Sequence, residues 1–148
     1  RFKNTITNTN YVIDAAILKL TADAAGSQGD TALSSIFLLD YKSCPAMDTF
    51  SAISMPAVVA NPHVDWTSSP VWVAGSVYDS PDISALVAYW KNTLGGVLND
   101  YIGFAIKNNG TTTDIRRQHG AYGHATPEIL QLTYSINTKR NFIHEGIF

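Results

Sequence analysis

The chain has 148 residues, with 10 Lys and Arg against 12 Asp and Glu for a net charge of −2, and a single cysteine. That length suits one domain around one core, and its dispersed, nearly balanced charge excludes a basic footprint for nucleic acid. The lone Cys44 excludes an intrachain disulfide, a CxxC motif and a four-ligand zinc pattern, and no apolar run approaches the ~20 residues of a membrane-spanning helix.

Charged residues make up 15% of the chain, beside plentiful Ser, Thr, Asn and Gly, a balance typical of extracellular or virion β-proteins. Cys44 is expected to be a buried, inert thiol. The sequence starts at "RFKNTITNTN" with neither an initiator Met nor a signal peptide. It is therefore expected to be a processed part of a longer polypeptide.

Along "YVIDAAILKLTADAAG", Ala16, Leu18, Leu20 and Ala22 alternate with Lys19, Thr21 and Asp23, which predicts a strand with one buried face. "SSIFLLDYKS" predicts a strand covered on both sides, with Phe37, Leu39 and Tyr41 sharing one. Prolines 45, 56 and 62 bracket a connection containing a short helical turn near Asp48 to Ile53. "HVDWTSSPVWVAG" follows as a strand interrupted at Pro70.

The one helix is predicted in "DSPDISALVAYWKNTLGG". Ser80 would be its N-cap, Pro81 its first residue, and Asp82 a complement to the dipole. Ile83, Leu86, Val87, Trp90 and Leu94 form one apolar stripe, which Gly95 and Gly96 end. Next come a strand with Ile102, Phe104 and Ile106 on one side, an "NNG" turn, and a return strand over 115–119. "EILQLTYSI" closes the set with Leu130, Leu132, Tyr134 and Ile136 on one parity.

About six strands, one docked helix and no βαβ alternation predict an all-β fold, an antiparallel, jelly-roll-like β-sandwich over residues 1–136, followed by a C-terminal arm or linker over 137–148.

The order of the pieces carries a resemblance. The "RF" opening, Ile13, Ala16, Leu18 and Leu20, the block from Trp72 through Ser80, Asp82, Ile83, Ser84, Leu86 and Val87, "GFAIKNNG", an arginine strand and "PEILQLTY" together resemble the DNRLRE-domain family. These are β-sandwich modules similar to carbohydrate-binding modules, found in secreted bacterial and phage structural proteins. The likeness covers residues 1–136. Members usually carry one or two further strands before the "RF" strand, and these are absent here. An edge left open in this way needs a covering segment or chain, for which "NFIHEGIF" is a candidate. The resemblance implies a noncatalytic binding or structural module with no single family ligand.

The residues most suggestive of chemistry lie in "RRQHGAYGHATPE". Arg116, Arg117, His119, His124 and Glu128 resemble an acid/base or metal cluster, but the histidines stand five apart across a glycine-broken loop, without HxH or HExxH spacing. No GxSxG elbow marks a nucleophilic serine. Asp65, Asp79, Asp82 and Glu128 are the carboxylates from which a glycosidase pair could be drawn. The expectation is therefore no catalytic residue, no metal and no cofactor.

Sugar recognition needs a flat ring beside hydrogen-bonding side chains. Among Trp66, Trp72, Tyr78, Tyr89, Trp90 and Tyr122, the tryptophans at 72 and 90 are expected in the core, the first within a strand. Trp66 and Tyr122 are expected to be exposed, with Arg116, Gln118 and His119 as hydrogen-bond partners. The sequence thus predicts a noncatalytic module of a phage virion or secreted surface protein, for attachment or assembly and with glycan contact. A purely structural or decoration domain of a viral particle is the alternative, and a polysaccharide-degrading enzyme domain the second. Expected partners are other protein chains of an assembly, as a homo-oligomer, and surface glycans, without nucleic acid or membrane insertion.

Overall fold

The structure, a computed structural model, describes residues 1–22, 31–46, 57–68, 72–110 and 128–136. The expected arginine strand, the histidine loop and the C-terminal arm lie outside these residues, as does the turn expected near Asp48 to Ile53. In chain order the elements are β1 (Phe2–Lys3), β2 (Tyr11–Thr21), β3 (Ala32–Leu39), β4 (Val58–Ser68), β5 (Val77–Asp79), α1 (Ser84–Asn92), β6 (Tyr101–Ile102), β7 (Phe104–Asn108) and β8 (Ile129–Ile136). They form three antiparallel sheets, ordered β5-β2-β8, β4-β3-β7 and the short β1-β6. The fold is all-β and sandwich-like, with one short helix among the described residues.

Alternation positions the core. Ala16, Leu18 and Leu20 of β2 face Ile36 and Leu38 of β3, Val59 and Trp66 of β4, and Ile83, Leu86, Val87 and Trp90 around α1, all in one buried cluster. In β2 the inward parity changes from Tyr11 and Ile13 to Ala16 because a register shift falls between Ile13 and Ala15. Such a bulge lets one strand keep apolar residues inside on both sides of Asp14. The end of β3 is covered on both faces as expected, since Leu38 and Leu39 are both buried. Phe37, however, faces away from the core, stacked on His63, while Leu39 packs beside Gly103 and Cys44.

Three expected boundaries move. β4 begins at Val58, so the stretch through Pro62 is strand rather than connection. It can hold a proline because β4 is an edge strand and Pro62 falls where its register against β3 shifts, between the His63 and Val58 pairings. Trp72 lies outside any strand but is buried, stacked 4.5 Å from Tyr78 and tilted at 45° against Trp66, 5.9 Å away.

α1 starts at Ser84, and its N-cap position is Ile83, which makes no side-chain cap. Ser80 instead accepts the Leu18 N–H through Oγ at 2.9 Å and sends its own N–H to the Leu18 carbonyl. Ile83 likewise donates its N–H to the Ala16 carbonyl at 2.8 Å. Residues 80–83 are thus fastened along β2, and the helix can begin only where that attachment ends. The apolar stripe holds as expected, with Leu86, Val87 and Trp90 buried, and Gly95 closes it at φ +74.

Candidate functional site

Of the residues expected at a ligand site, Arg116, Gln118, His119 and Tyr122 lie outside the described residues, and only Trp66 can be placed. Trp66 is 7% exposed and belongs to the core, which corrects the expectation that it stands in solvent. Its polar neighbours misled. In "HVDWTSS" the residues at 64, 66 and 68 point inward and those at 63, 65 and 67 outward, so the tryptophan takes the buried parity between exposed Asp65 and Thr67.

The same alternation assembles a polar cluster on the outer face of β4-β3-β7. Ser35 pairs in register with Asp65 and with Lys107, and Phe37 pairs with His63 and Ala105. Asp65 Oδ1 accepts from Ser35 Oγ at 2.6 Å and from Asn109 Nδ2 at 2.9 Å, while His63 Nε2 stands 3.8 Å away. Its side chain is 65% exposed, and Oδ2 has no hydrogen bond among the described residues. Phe37 is clamped between two neighbours: the His63 ring is stacked 5.2 Å away at 20°, and Lys107 Nζ is 5.2 Å from the ring centroid.

This trio of Ser35, Asp65 and His63 has the components of a nucleophilic triad but not its order. The serine hydroxyl donates its hydrogen bond directly to the carboxylate, and the imidazole approaches that carboxylate from a separate position. Serine activation requires the histidine between them, accepting from the hydroxyl. What the arrangement provides is a fixed acceptor with nearby donors, held on three paired strands.

Of the carboxylates considered for glycosidic chemistry, Asp65 lies on a different sheet from Asp79, Asp82 and Glu128, which stand along β2. Asp79 pairs with Lys19 at 2.8 Å on β5-β2, Asp82 binds the Ala16 and Ser84 N–H groups, and Asp65 belongs to the other sheet. The Ala16 N–H holds the Asp82 carboxyl below the usual aspartate range, against the smaller opposing effect of burial. Among the described residues, no three His, Cys, Asp or Glu side chains group closely enough to hold a metal ion. Cys44 is buried, and burial pushes its thiol up, which suits the inert role expected of it.

A concave feature lies elsewhere, a groove of about 390 Å³ shared by residues 2–8, α1 and β8. Val87, Trp90 and Ile102 give it an apolar floor, and Leu130, Leu132 and Tyr134 line its β8 side. Asn4 lies at its base, 8% exposed; its Oδ1 accepts the Ile6 N–H, but Nδ2 meets no partner in hydrogen-bonding geometry. The neighbouring Tyr11 hydroxyl is pushed up by burial, with the nearby Asn4 amide partly opposing the shift. No signal in the sequence marked either the outer-face cluster or the groove, because both depend on strand register.

The fold and these two surfaces define an all-β, sandwich-like domain. The chain matches no protein-family model, no curated protein and no solved structure.

Proposed function

We propose that the chain is a noncatalytic β-sandwich module of a virion or secreted surface protein, serving attachment or assembly, and that it contacts glycans through the outer face of β4-β3-β7. The low charge content supports the setting, and the DNRLRE resemblance of its quoted motifs supports the class of module. The observation that carries the glycan reading is Asp65. Ser35 and Asn109 both hold Oδ1, so the carboxylate is oriented before any ligand arrives, and Oδ2 is left to accept from a hydroxyl. Asn109 and His63 stand beside it, and Lys107 lies across β3 over the Phe37 ring, a combination of acceptor and donors suited to vicinal hydroxyls. Preorganisation on paired strands lowers the ordering cost of binding.

A glycan array probed with the chain tests this reading. Retained glycans are expected to be lost with Asp65→Ala and kept with a double Arg116→Ala, His119→Ala variant. An array that retains nothing, or binding indifferent to Asp65→Ala, overturns it. Loss in the double variant alone would move the contact to the basic loop.

A further inference from the structure

The turn after β7 carries "NNG", and Asn109-Gly110 is the one Asn-Gly step in the chain. Such a step is chemically reactive, because the main-chain nitrogen that follows an asparagine can attack its side-chain amide, and glycine has no Cβ to crowd the approach. Both residues are exposed, and nothing lies within 4 Å of the place a Cβ on Gly110 would take. The Gly110 N–H has no acceptor among the described residues, so its nitrogen is not held in a ladder.

The amide under attack is held more firmly. Asn109 donates its main-chain N–H to the Leu33 carbonyl at 3.0 Å and its Nδ2 to Asp65 Oδ1 at 2.9 Å. The second bond reaches from the end of β7 across β3 to β4. For the reaction Cγ must bond to the Gly110 nitrogen and Nδ2 must depart, so the contact with Asp65 has to open first. The Asp65 side chain is 65% exposed, and one hydrogen bond in that setting slows such a step by only about 2- to 10-fold. It acts as a brake and not as a lock.

We propose that Asn109 is a site of spontaneous deamidation whose rate is set by its hydrogen bond to Asp65. The Gly110 nitrogen gives its proton to solvent and bonds to Asn109 Cγ, the Cγ–Nδ2 bond breaks, and Nδ2 takes up a proton and leaves as ammonia. Water then opens the cyclic imide at either carbonyl, giving aspartate or its iso form. In sum, amide and water become carboxylate and ammonium, with no oxidant or reductant. The converted chain carries a second carboxylate beside Asp65, where like charges repel, and keeps Ser35 as the donor to Oδ1. The reaction needs water alone and does not rest on the glycan reading.

The chain and a capped peptide of sequence KNNGT are incubated in parallel in mildly alkaline buffer. Digestion under acid conditions stops further conversion, and mass spectrometry after chromatographic separation of aspartyl and isoaspartyl forms locates the products. Both forms are expected at position 109, appearing about 2- to 10-fold more slowly in the folded chain than in the peptide. Asp65→Ala is expected to raise the rate in the chain by a similar factor with an unchanged circular dichroism spectrum. Asp65→Val, β-branched for a strand and equally without an acceptor, serves as the second variant should Asp65→Ala fail to fold. An Asn109 that stays intact while the peptide converts fully overturns the proposal, as does the aspartyl form alone, which marks direct hydrolysis without the Gly110 nitrogen. A folded chain that converts as fast as the peptide, or a rate unchanged by loss of the Asp65 carboxylate, overturns it too.

Discussion

The carboxylate of Asp82 accepts the main-chain N–H of Ala16 at 2.9 Å, joining positions 66 apart in the sequence. The same Oδ1 accepts the Ser84 N–H at 2.8 Å, where α1 begins. One side chain therefore ties the start of the helix to the middle of the central strand β2, so helix position and sheet register are set together.

Asp82→Ala is expected to destabilise the fold by about 1 to 2 kcal/mol, the range for losing a cap, measured by urea denaturation at neutral pH. The folded state lowers the Asp82 pKa, so its contribution is fully present above the unfolded-state value of about 3.9 and is lost as pH falls through the lower folded value. Asp82→Asn keeps an acceptor oxygen for both N–H groups but cannot titrate. Its stability should therefore vary less with pH than the parent's below about pH 4, in the same denaturation series. An identical acid profile for the two proteins would remove Asp82 from the account.

Gly96 is buried against the indole of Trp90, and a methyl group there would overlap the ring. Trp90 cannot simply turn aside, because its Nε1 donates to the Lys42 carbonyl at 2.8 Å and its ring is 2% exposed. Gly96→Ala is expected to cost about 1 to 3 kcal/mol, as overpacking does, with a changed tryptophan emission spectrum reporting the displaced ring. Gly95→Ala, which has open space around its side chain but a φ of +74, should cost through backbone strain and leave that spectrum unchanged.

Legibility followed the range of the interaction. The inward set of β2 and the stripe of α1 are set by neighbours two to four residues away, and both were readable as patterns. Ser80 and Asp82 have the residue types of a helix start, but the same oxygens serve equally to accept from a strand, and only the tertiary pairing with Leu18 and Ala16 decides between them. The polar neighbours of Trp66 suggest a solvent position, whereas its parity in β4 sets it in the core. The Asp65 cluster draws Ser35 from β3, His63 from β4 and Asn109 from just beyond β7, and nothing short of the β3 register would have brought them together.

Trp66 as a core residue leads to an outcome opposite to that of a ligand-facing aromatic. Trp66→Ala should cost roughly 3 to 5 kcal/mol, since the ring packs 5.9 Å from Trp72 inside the buried cluster. Chemical denaturation measures this directly. A cost below about 1 kcal/mol, the usual range for a surface substitution, would return Trp66 to the surface.

Leu18 and Leu132 lie on adjacent strands of the same sheet, Leu18 opposite Leu130 and Leu132 opposite Ala16, and differ in what covers them. Leu18 on central β2 is 4% exposed, whereas Leu132 on β8 is only partly buried, because its outer flank opens into the groove. Leu18→Ala should therefore cost about 2 to 5 kcal/mol and Leu132→Ala about 1 to 2, since only part of the leucine surface leaves water and the open side can relax. Urea midpoints of the two variants make the comparison. Equal costs would mean that β8 is as fully covered as β2 in solution, and that the groove is already filled in the isolated chain.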